Sequence, residues 1–464
     1  MGGPHWLALA MLGVLACALF SGLPVAIVLI GVGLAFGGAG ILLGALRTSD
    51  LGAIYFRIYG SLVDSDEVLY ATVPMLVFMG AILQRSGTGE DLLLGIRAAL
   101  ARAPGALAIA VILLGVALAP AAGVIAASVG ALALLAFPVL LRHAYRPHQA
   151  AGVICAAGTL GVVVPPGILL FFVADAIGVQ IPALFLGMLG PLALLVACYV
   201  AHAALALRVS VPHPDRASQA PQAQARPAVF LRLGAPVALL GAMLGSVAFG
   251  WATLSESAAL GAAGAVALAA LQRRLTLRGL DDAIRDTMLT TSMVFFIFIG
   301  ASVFSLVFRL LGGGEMIVGA FRGLPFGALG VLCTVLLTVF VLGFFFDWVE
   351  IVLITFPVLR VVLDSLDFGG HLAAPHLALY WAAVLLALNL QTSFLTPPFG
   401  YALLLARGAA PPGVSLADIY RGVLPYVAIQ VVVIAAVIAF PSIATWLPSQ
   451  AFDLAPARVE KFRE

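Results

Sequence analysis

Long apolar blocks separated by short polar segments run through the whole chain. A bilayer is crossed by about 20 apolar helical residues, and many of the blocks have this length or more. On this measure, membrane spans are predicted near residues 6–20, 22–46, 69–86, 149–173, 180–206, 229–250, 252–272, 286–310, 376–406 and 419–446. The pattern predicts an all-α polytopic membrane protein.

Two further apolar blocks, 104–141 and 323–363, are each nearly two spans long. Each has a break at its middle, at Pro120–Gly123 in the first block and at Gly343–Asp347 in the second. Both blocks fit either two ordinary spans or a re-entrant helical hairpin. Hairpins, with the N-terminus outside, put most of the 23 basic residues on the inner side, as expected for short cytoplasmic loops. We therefore predict two re-entrant hairpins.

Similar segments recur in the same order on either side of the polar stretch 207–228, which is predicted to be a flexible cytoplasmic linker. The matching pairs are Phe137–Leu140 with Phe356–Leu359, Met75–Gly80 with Phe295–Gly300, and Pro165–Pro166 with Pro397–Pro398. Under the arginine-based topology the two halves enter the membrane from opposite sides. This predicts the inverted repeat that many secondary transporters have.

Composition excludes several classes of protein. The chain has 464 residues, of which 63% are hydrophobic and 9% charged, with a mean hydropathy of +1.16. A soluble domain has about a quarter charged residues, so a soluble enzyme, a nucleic-acid-binding protein and a disordered scaffold are all excluded. The four cysteines lie in apolar stretches and the seven histidines do not cluster, which argues against a transition-metal site.

No motif of an enzyme that hydrolyses ATP is visible, and any uphill transport must use an ion gradient. A channel would need a continuous polar stripe through several helices, and the sequence has paired helix breaks instead. An intramembrane enzyme would have to use Asp347 and Glu350, for which no nucleophile or metal ligand is evident. A purely structural subunit would not respond to an ion. We therefore predict a transporter subunit, not an enzyme.

The two proline pairs carry the candidate chemistry. Proline lacks an N–H and displaces the carbonyl four residues earlier. The first pair is expected to free the carbonyls of Gly161 and Val162, and the second those of Ser393 and Phe394. At membrane depth such carbonyls must face protein, water or an ion. A plain kink explains either pair alone, but two pairs at matching places favour a Na⁺ site formed by nearly uncharged oxygen ligands.

Asp347 and Glu350 flank Trp348 in the second hairpin. Ionisable groups at membrane depth are expensive and usually face a cavity or a partner. One interpretation is a gate or a cation-coupling site at the hairpin tip. The other is that the tip reaches the membrane interface, where both carboxylates are hydrated and Trp348 is an anchor. The sequence leaves both interpretations open.

Over residues 5–450 the chain resembles the large membrane subunit of TRAP (tripartite ATP-independent periplasmic) transporters. The segments that carry the resemblance are Gly22–Ala26, Val73–Gly80, Gly158–Pro166, Ser255–Ala259, Leu395–Gly400 and Trp446–Pro448. Three others resemble the mannitol/chloroaromatic-type branch of the family: Asp347–Glu350, Gln391–Leu395 and Gly408–Gly413.

The resemblance implies a Na⁺-coupled, elevator-type importer in the bacterial inner membrane. It needs no cofactor other than Na⁺ as coupling ion, and no nucleic acid. Its expected partners are a small four-helix membrane subunit, a periplasmic solute-binding protein and the lipid bilayer, and its solute is a small organic molecule, commonly a carboxylate. The alternative is a proton-coupled carrier of the same architecture that works without a binding protein.

The resemblance also implies where ions bind. Many relatives have a hydroxyl residue before the first hairpin glycine, whereas this chain has Ala122–Gly123, which leaves Ser128 or backbone carbonyls to compensate. The candidate Na⁺- or solute-binding residues are Gly123, Ser128, Gly158, Thr159, Gly161, Pro165, Pro166, Asp347, Glu350, Asn389, Gln391, Thr392, Ser393, Thr396, Pro397 and Pro398.

The predicted organisation alternates scaffold and transport segments. Scaffold helices are expected in 1–103, the first hairpin and broken helix in 104–178, and a scaffold helix with the linker in 179–228. Scaffold helices of the second repeat follow in 229–311, the second hairpin and broken helix in 312–408, and a C-terminal helix and tail in 409–464.

Overall fold

The computed structural model describes residues 5–19, 21–62, 69–86, 105–118, 125–206, 238–323, 325–344, 346, 348–397 and 400–452. All regular secondary structure in these ranges is helical, as the apolar pattern predicts. Six described helices are long and apolar enough to cross a membrane: Val25–Leu42, Ile181–Ala206, Leu254–Leu271, Leu277–Leu310, Pro375–Leu395 and Leu416–Ala439. The chain is therefore a multi-pass membrane protein.

The helices of the first half are α1 (His5–Leu19), α2 (Val25–Leu42), α3 (Thr48–Leu62), α4 (Leu69–Arg85), α5 (Ala106–Leu118), α6 (Ile125–Arg142), α7 (Pro147–Leu160), α8 (Ile168–Ile177) and α9 (Ile181–Ala206). The second half contains α10 (Ala238–Ala248), α11 (Leu254–Leu271), α12 (Leu277–Leu310), α13 (Gly313–Arg322), α14 (Ala328–Leu342), α15 (Trp348–Glu350), a π-helical turn (Ile351–Thr355), α16 (Phe356–Asp364), α17 (Ala378–Leu395), α18 (Tyr401–Ala409), α19 (Leu416–Ala439) and α20 (Ser442–Ala451). Short 3₁₀ turns at Gly369–His371 and Pro375–Leu377 connect α16 to α17.

Two of the predicted spans, 149–173 and 376–406, are each divided into two helices. In the first, α7 ends at Leu160 and α8 begins at Ile168; in the second, α17 ends at Leu395 and α18 begins at Tyr401. With 10 and 9 residues, α8 and α18 rise about 15 Å at 1.5 Å per residue, half of a hydrocarbon core of about 30 Å. Neither helix crosses a bilayer by itself.

One group of helices, formed by α2, α4, α11 and α12, packs through glycine contacts. Gly300 of α12 lies against the backbone of Ala26, while Gly33 and Gly37 of α2 lie against Val303 and Val307. The contacts advance together along both helices, so α2 and α12 run in the same direction. Glycine allows this because it lets two backbones approach closely.

A second pair in this group, α4 and α11, also runs in one direction. Thr72 at the start of α4 contacts Ser255 at the start of α11, and after both helices end Arg274 donates to the Ser86 carbonyl over 3.1 Å. The end of α4 meets the beginning of α12, where Arg85 pairs with Asp282 and Asp286. Because α4 and α12 also pack along their length, they are antiparallel. These two helices carry the matching segments found in the sequence.

The remaining helices form a second group with reciprocal packing. α5 packs on α7 as α14 packs on α17, and α6 packs on α18 as α16 packs on α8. The elements α5–α8 and α14–α18 therefore occur in the same order and exchange equivalent contacts. A two-fold relation between the two halves produces this reciprocity.

The helices α9 and α19 also belong to this second group, because they pack on its members. Each follows the second half of a broken helix, α9 after α8 and α19 after α18. α9 packs on α5, α8, α17, α19 and α20, and α19 packs on α7, α17 and α18. The crossing of α7 and α19 is especially close, since a side chain on Gly152 or Gly422 would overlap backbone of the other helix. The sequence-based organisation assigns α9 to the scaffold, whereas its packing joins it to the hairpin and broken-helix segments.

We expect Gly422→Ala to destabilise the protein, because the added Cβ would overlap the His148 carbonyl oxygen. Overpacking of this kind costs about 1–3 kcal/mol. The matched control is Gly31→Ala, also within a helix, where the Cβ meets nothing within 4 Å and helix propensity favours alanine by about 1 kcal/mol. Thermal unfolding of the purified protein should show a fall in Tm for Gly422→Ala only; equal Tm values would contradict the crossing.

Candidate functional site

The first helix break presents three backbone carbonyls to one point. The chain leaves α7 through a turn in which the N–H groups of Val163 and Val164 both donate to the Leu160 carbonyl over 3.1 Å. A Cβ built on Gly167 would lie 3.9, 3.3 and 3.0 Å from the carbonyl oxygens of Gly161, Val162 and Val164. Among the described residues nothing donates to these three oxygens. The proline pair predicts the first two, and Val164 adds a third.

Hydroxyl groups from two helices border this break. Ser128 of α6 donates to the Gly158 carbonyl over 2.9 Å, and Thr159 donates to the Ala156 carbonyl over 3.0 Å. Both side chains are buried. Because the Thr159 hydroxyl uses its proton within the protein, its oxygen lone pairs stay available as acceptors. The sequence predicts that Ser128 compensates for the hydroxyl missing at Ala122, but Ala122 and Gly123 lie outside the described residues, so this stays a prediction.

The second break has the same chemistry with more side-chain oxygens. Thr392, Ser393 and Thr396 donate to the carbonyls of Leu388, Leu390 and Thr392 over 2.9, 2.7 and 2.7 Å. Their oxygens therefore also remain acceptors. The Phe394 carbonyl oxygen lies 3.0 Å from where a Cβ on Gly400 would stand, as Gly161 lies near Gly167 in the first break.

The prediction of a free carbonyl at Ser393 is wrong. The Ser393 carbonyl accepts a hydrogen bond from the Thr396 N–H over 3.2 Å. The helix tightens from four-residue to three-residue spacing at its end, as helix termini often do. Of the two carbonyls that the sequence predicts to be free at this break, Ser393 and Phe394, the one of Ser393 is therefore hydrogen-bonded.

The second predicted hairpin contacts this break at two points. Asn389 of α17 donates to the Leu336 carbonyl of α14 over 2.7 Å, and Gly343 at the end of α14 abuts the Ser393 side chain. Asn389 is buried and its amide nitrogen is already bonded. We therefore interpret Asn389 as a group that positions α14 against the break.

Gln391 is the most unusual polar side chain in the break. It is fully buried, and neither end of its amide has a hydrogen-bond partner among the described residues. An unsatisfied buried amide is costly, and native proteins rarely leave one without a water or an ion. Gln391 lies six residues before Pro397, as Thr159 lies six residues before Pro165, so it stands at the position of Thr159 in the second repeat.

Glu350 and Trp348 are buried, with 7% and 2% of their surface exposed. The Trp348 ring lies 6.0 Å from that of Phe172 in α8, and α15 and the π-helical turn after it pack on α12. The interface-anchor interpretation is therefore wrong for these two residues. A π-helical turn often marks a functional site, and here it directly follows Glu350.

The structure brings most of the candidate residues together. α7 packs on α17, and α8 packs on α17 and on the π-helical turn, so the two breaks lie side by side. Pro166 lines a small, mostly apolar cavity with Leu76, Phe185, Met243 and Ser257. Three candidates, Gly123, Asp347 and Pro398, lie outside the described residues.

Sequence reasoning missed the Val164 carbonyl and the two glycines that begin the second helix halves, Gly167 and Gly400. The signal that could have found them is a glycine just after each proline pair. At the start of α11, Thr253 is the N-cap and its hydroxyl accepts from the Glu256 N–H over 3.3 Å. The described residues contain no group of three His, Cys, Asp or Glu side chains that could hold a metal ion.

The sequence model of the family described as "Tripartite ATP-independent periplasmic transporter, DctM component" matches residues 12–443. The chain belongs to this family. Its relatives in the DctM family are permease subunits of transporters rather than enzymes.

Three curated DctM relatives have similar identity over most of the chain. The ectoine/5-hydroxyectoine large permease protein UehC of Ruegeria pomeroyi is 26% identical and aligns over 82% of this chain and 86% of its own. The sialic acid large permease protein SiaM of Vibrio cholerae is 26% identical over 93% and 96%. The C4-dicarboxylate large permease protein DctM of Pseudomonas aeruginosa is 26% identical over 83% and 87%.

The fold of this DctM family member is similar to that of a solved transporter. The crystal structure of the Alcanivorax borkumensis YdaH transporter, described as having an unusual topology, superposes with a TM-score of 0.59. It covers 96% of this chain and 99% of its own at 13% sequence identity. At this identity the likeness concerns the fold alone.

We expect Gly343→Ala to push α14 away from the second break, because the added Cβ would overlap the Ser393 side chain. Overpacking should lower the unfolding free energy by about 1–3 kcal/mol. Ser393→Gly removes the overlapping atoms, so the double variant should regain part of the lost Tm. Gly314→Ala, whose Cβ meets nothing within 4 Å, is the control. Failure of Ser393→Gly to restore any stability would contradict this contact.

Proposed function

We propose that this protein is the large permease subunit of a Na⁺-coupled TRAP importer that moves a small organic solute across the bacterial inner membrane by an elevator mechanism. The observation that carries the proposal is the pair of adjacent helix breaks, in which no described residue donates to the carbonyls of Gly161, Val162 and Val164. In a chain of the DctM family, which belongs to a transporter described as ATP-independent, an ion gradient must supply the work.

Na⁺ suits both breaks by ligand type. Hard cations bind to oxygen, and carbonyl, hydroxyl and amide oxygens bind them in flexible arrangements. The first break offers three converging carbonyls with the hydroxyls of Ser128 and Thr159 beside them. The second offers the Phe394 carbonyl, the amide oxygen of Gln391 and the hydroxyls of Thr392 and Thr396. We assign one Na⁺ to each break.

The helix directions support an inverted repeat. α12, the counterpart of α4, runs antiparallel to it. α2 is parallel to α12 and α11 is parallel to α4, so α2 and α11 are also antiparallel to each other. Transporters with such repeats bind their solute at the interface of discontinuous helices. The solute site is accordingly proposed between the two breaks, near Gln391.

The short helices support re-entrant hairpins. α5 and α14 contain 13 and 15 residues, which is shorter than the 17 to 25 or so that a membrane-spanning helix needs. The proposed moving unit contains these hairpins, the broken helices, and also α9 and α19, since both pack within that group. The unit formed by α2, α4, α11 and α12 is the proposed scaffold.

The proposed partners follow from the family. A small membrane subunit would extend the scaffold, and a periplasmic binding protein would deliver the solute. Relatives are named for ectoine, sialic acid and C4-dicarboxylates, all of them small and carrying a carboxylate, so we propose a small carboxylate here. The mannitol/chloroaromatic resemblance does not choose among them.

Transport in proteoliposomes tests the coupling. The protein is reconstituted with its small subunit and its binding protein, and uptake of carboxylate candidates is compared under an inward Na⁺ gradient, an inward proton gradient and neither. We expect uptake only with Na⁺ and only with the binding protein. Uptake driven by protons without the binding protein would instead establish the proton-coupled alternative.

Thr392→Val should weaken Na⁺ binding at the second break. It removes one buried hydroxyl oxygen while keeping the side-chain shape, and we expect about tenfold weaker affinity, as for losses of supporting groups at other metal sites. Thr338→Val is the control, because Thr338 makes the same bond to a carbonyl one turn earlier but lies on an exposed face. The measurement is the rise in Tm between KCl and NaCl at equal ionic strength.

The wild type and Thr338→Val should show the same Na⁺-dependent rise in Tm, and Thr392→Val a smaller one. An equal rise in all three proteins would remove Thr392 from the site. No rise in any of them, together with Na⁺-driven uptake, would mean that the sites form only in the assembled complex.

A further inference from the structure

A cluster of polar side chains lies between α9 and α19, outside the residues of the two breaks. Tyr199 of α9 and Tyr426 of α19 meet edge to face with ring centroids 5.0 Å apart, and the His202 ring lies 5.1 Å from Tyr426. Gln430, one turn after Tyr426, faces the Tyr199 hydroxyl, and Tyr145 faces Tyr426 from the connection between α6 and α7. Three structural segments, α9, α19 and the connection between α6 and α7, therefore meet at one polar point.

The polar atoms of this cluster are buried and form no well-aligned hydrogen bond. Tyr199, Tyr426 and Gln430 have 0%, 1% and 2% of their surface exposed. Among the described residues, no hydrogen bond of good geometry reaches either tyrosine hydroxyl or either end of the Gln430 amide, although the Gln430 amide lies close to the Tyr199 hydroxyl. Trp381, equally buried and also facing α19, donates to the Val437 carbonyl over 2.8 Å. The absence of partners is therefore a property of the cluster and not of α19 as a whole.

We propose that Tyr199, Tyr426 and Gln430 enclose a binding site for ordered water. Buried polar groups without a protein partner are usually satisfied by water, and a buried water binds two to four such groups. Phenol hydroxyls and a primary amide supply donors as well as acceptors, which matches water better than a bare cation. The groups facing the site are two tyrosines, a glutamine, Tyr145 and His202, with no carboxylate among the described residues there.

The site joins the two halves of the protein. α9 follows the second half of the first broken helix, and α19 follows the second half of the other, so the two helices are counterparts. Water held between them supplies hydrogen bonds that direct packing leaves unmade. His202, which is partly exposed, marks the side from which the water exchanges. The inference does not depend on Na⁺ coupling.

Radiolytic hydroxyl-radical footprinting of the full-length protein in lipid nanodiscs tests this directly. X-rays split ordered water in place, so buried side chains beside such water are oxidised, and mass spectrometry locates the products. We expect Tyr199 and Tyr426 to be modified several-fold faster than Trp381. That control is fully buried and bonded to protein, and its indole is intrinsically more reactive than a phenol. Equal or slower modification of the tyrosines would overturn the proposal.

Gln430→Leu supplies the second arm. It removes both amide groups at similar volume, and should lower the modification of Tyr199 and Tyr426 several-fold while Trp381 is unchanged. Tyr426→Phe, which deletes one oxygen, serves if Gln430→Leu does not fold, and should lower the modification of Tyr199. Unchanged labelling in the folded variant would refute the site. A rate in the wild type that depends on Na⁺ or K⁺ would assign the cluster to a cation and also overturn the water proposal.

Discussion

The rest of the structure depends on one constraint, which is that lipid offers no hydrogen bonds to the backbone. Every N–H and C=O at membrane depth must be satisfied within the protein or by something the protein binds. Helices meet this requirement almost everywhere in the described chain. The breaks after Leu160 and after Leu395, each inside a predicted span, are places where this requirement has to be met in another way. Both are buried by helices of the opposite repeat.

Close packing makes these interruptions tolerable. Glycine lets α7 and α19 approach at Gly152 and Gly422, and lets α2 and α12 approach along a whole face. The broken helices can be short because α6, α14 and α16 cover them. Hydroxyls at both breaks direct their protons into helix carbonyls and present oxygen to the interior. This arrangement is the basis of the proposed Na⁺ sites, whose ligands would be mostly uncharged.

The two breaks differ in how they supply oxygen. The first depends on backbone, through the carbonyls of Gly161, Val162 and Val164, with Ser128 contributed by a neighbouring helix. The second depends more on side chains, and has the longer Gln391 where the first has Thr159. Under the proposed function, one break would bind an ion and the other an ion beside the solute. Gln391 and Gln430 are both buried amides that form no well-aligned hydrogen bond to a described residue, but only Gln391 lies beside a break.

The sequence by itself determined the helical class, the multi-pass character, the positions of both breaks and the family. These follow from apolar block length, from proline chemistry and from motifs that are local in the chain. It left open whether Glu350 is hydrated or buried, and it expected a free carbonyl at Ser393 that a tightened turn satisfies. Only the tertiary structure decided these points, and that α9 packs with the broken helices. Burial and hydrogen bonding between distant segments depend on which helices meet, and the order of apolar residues does not specify that.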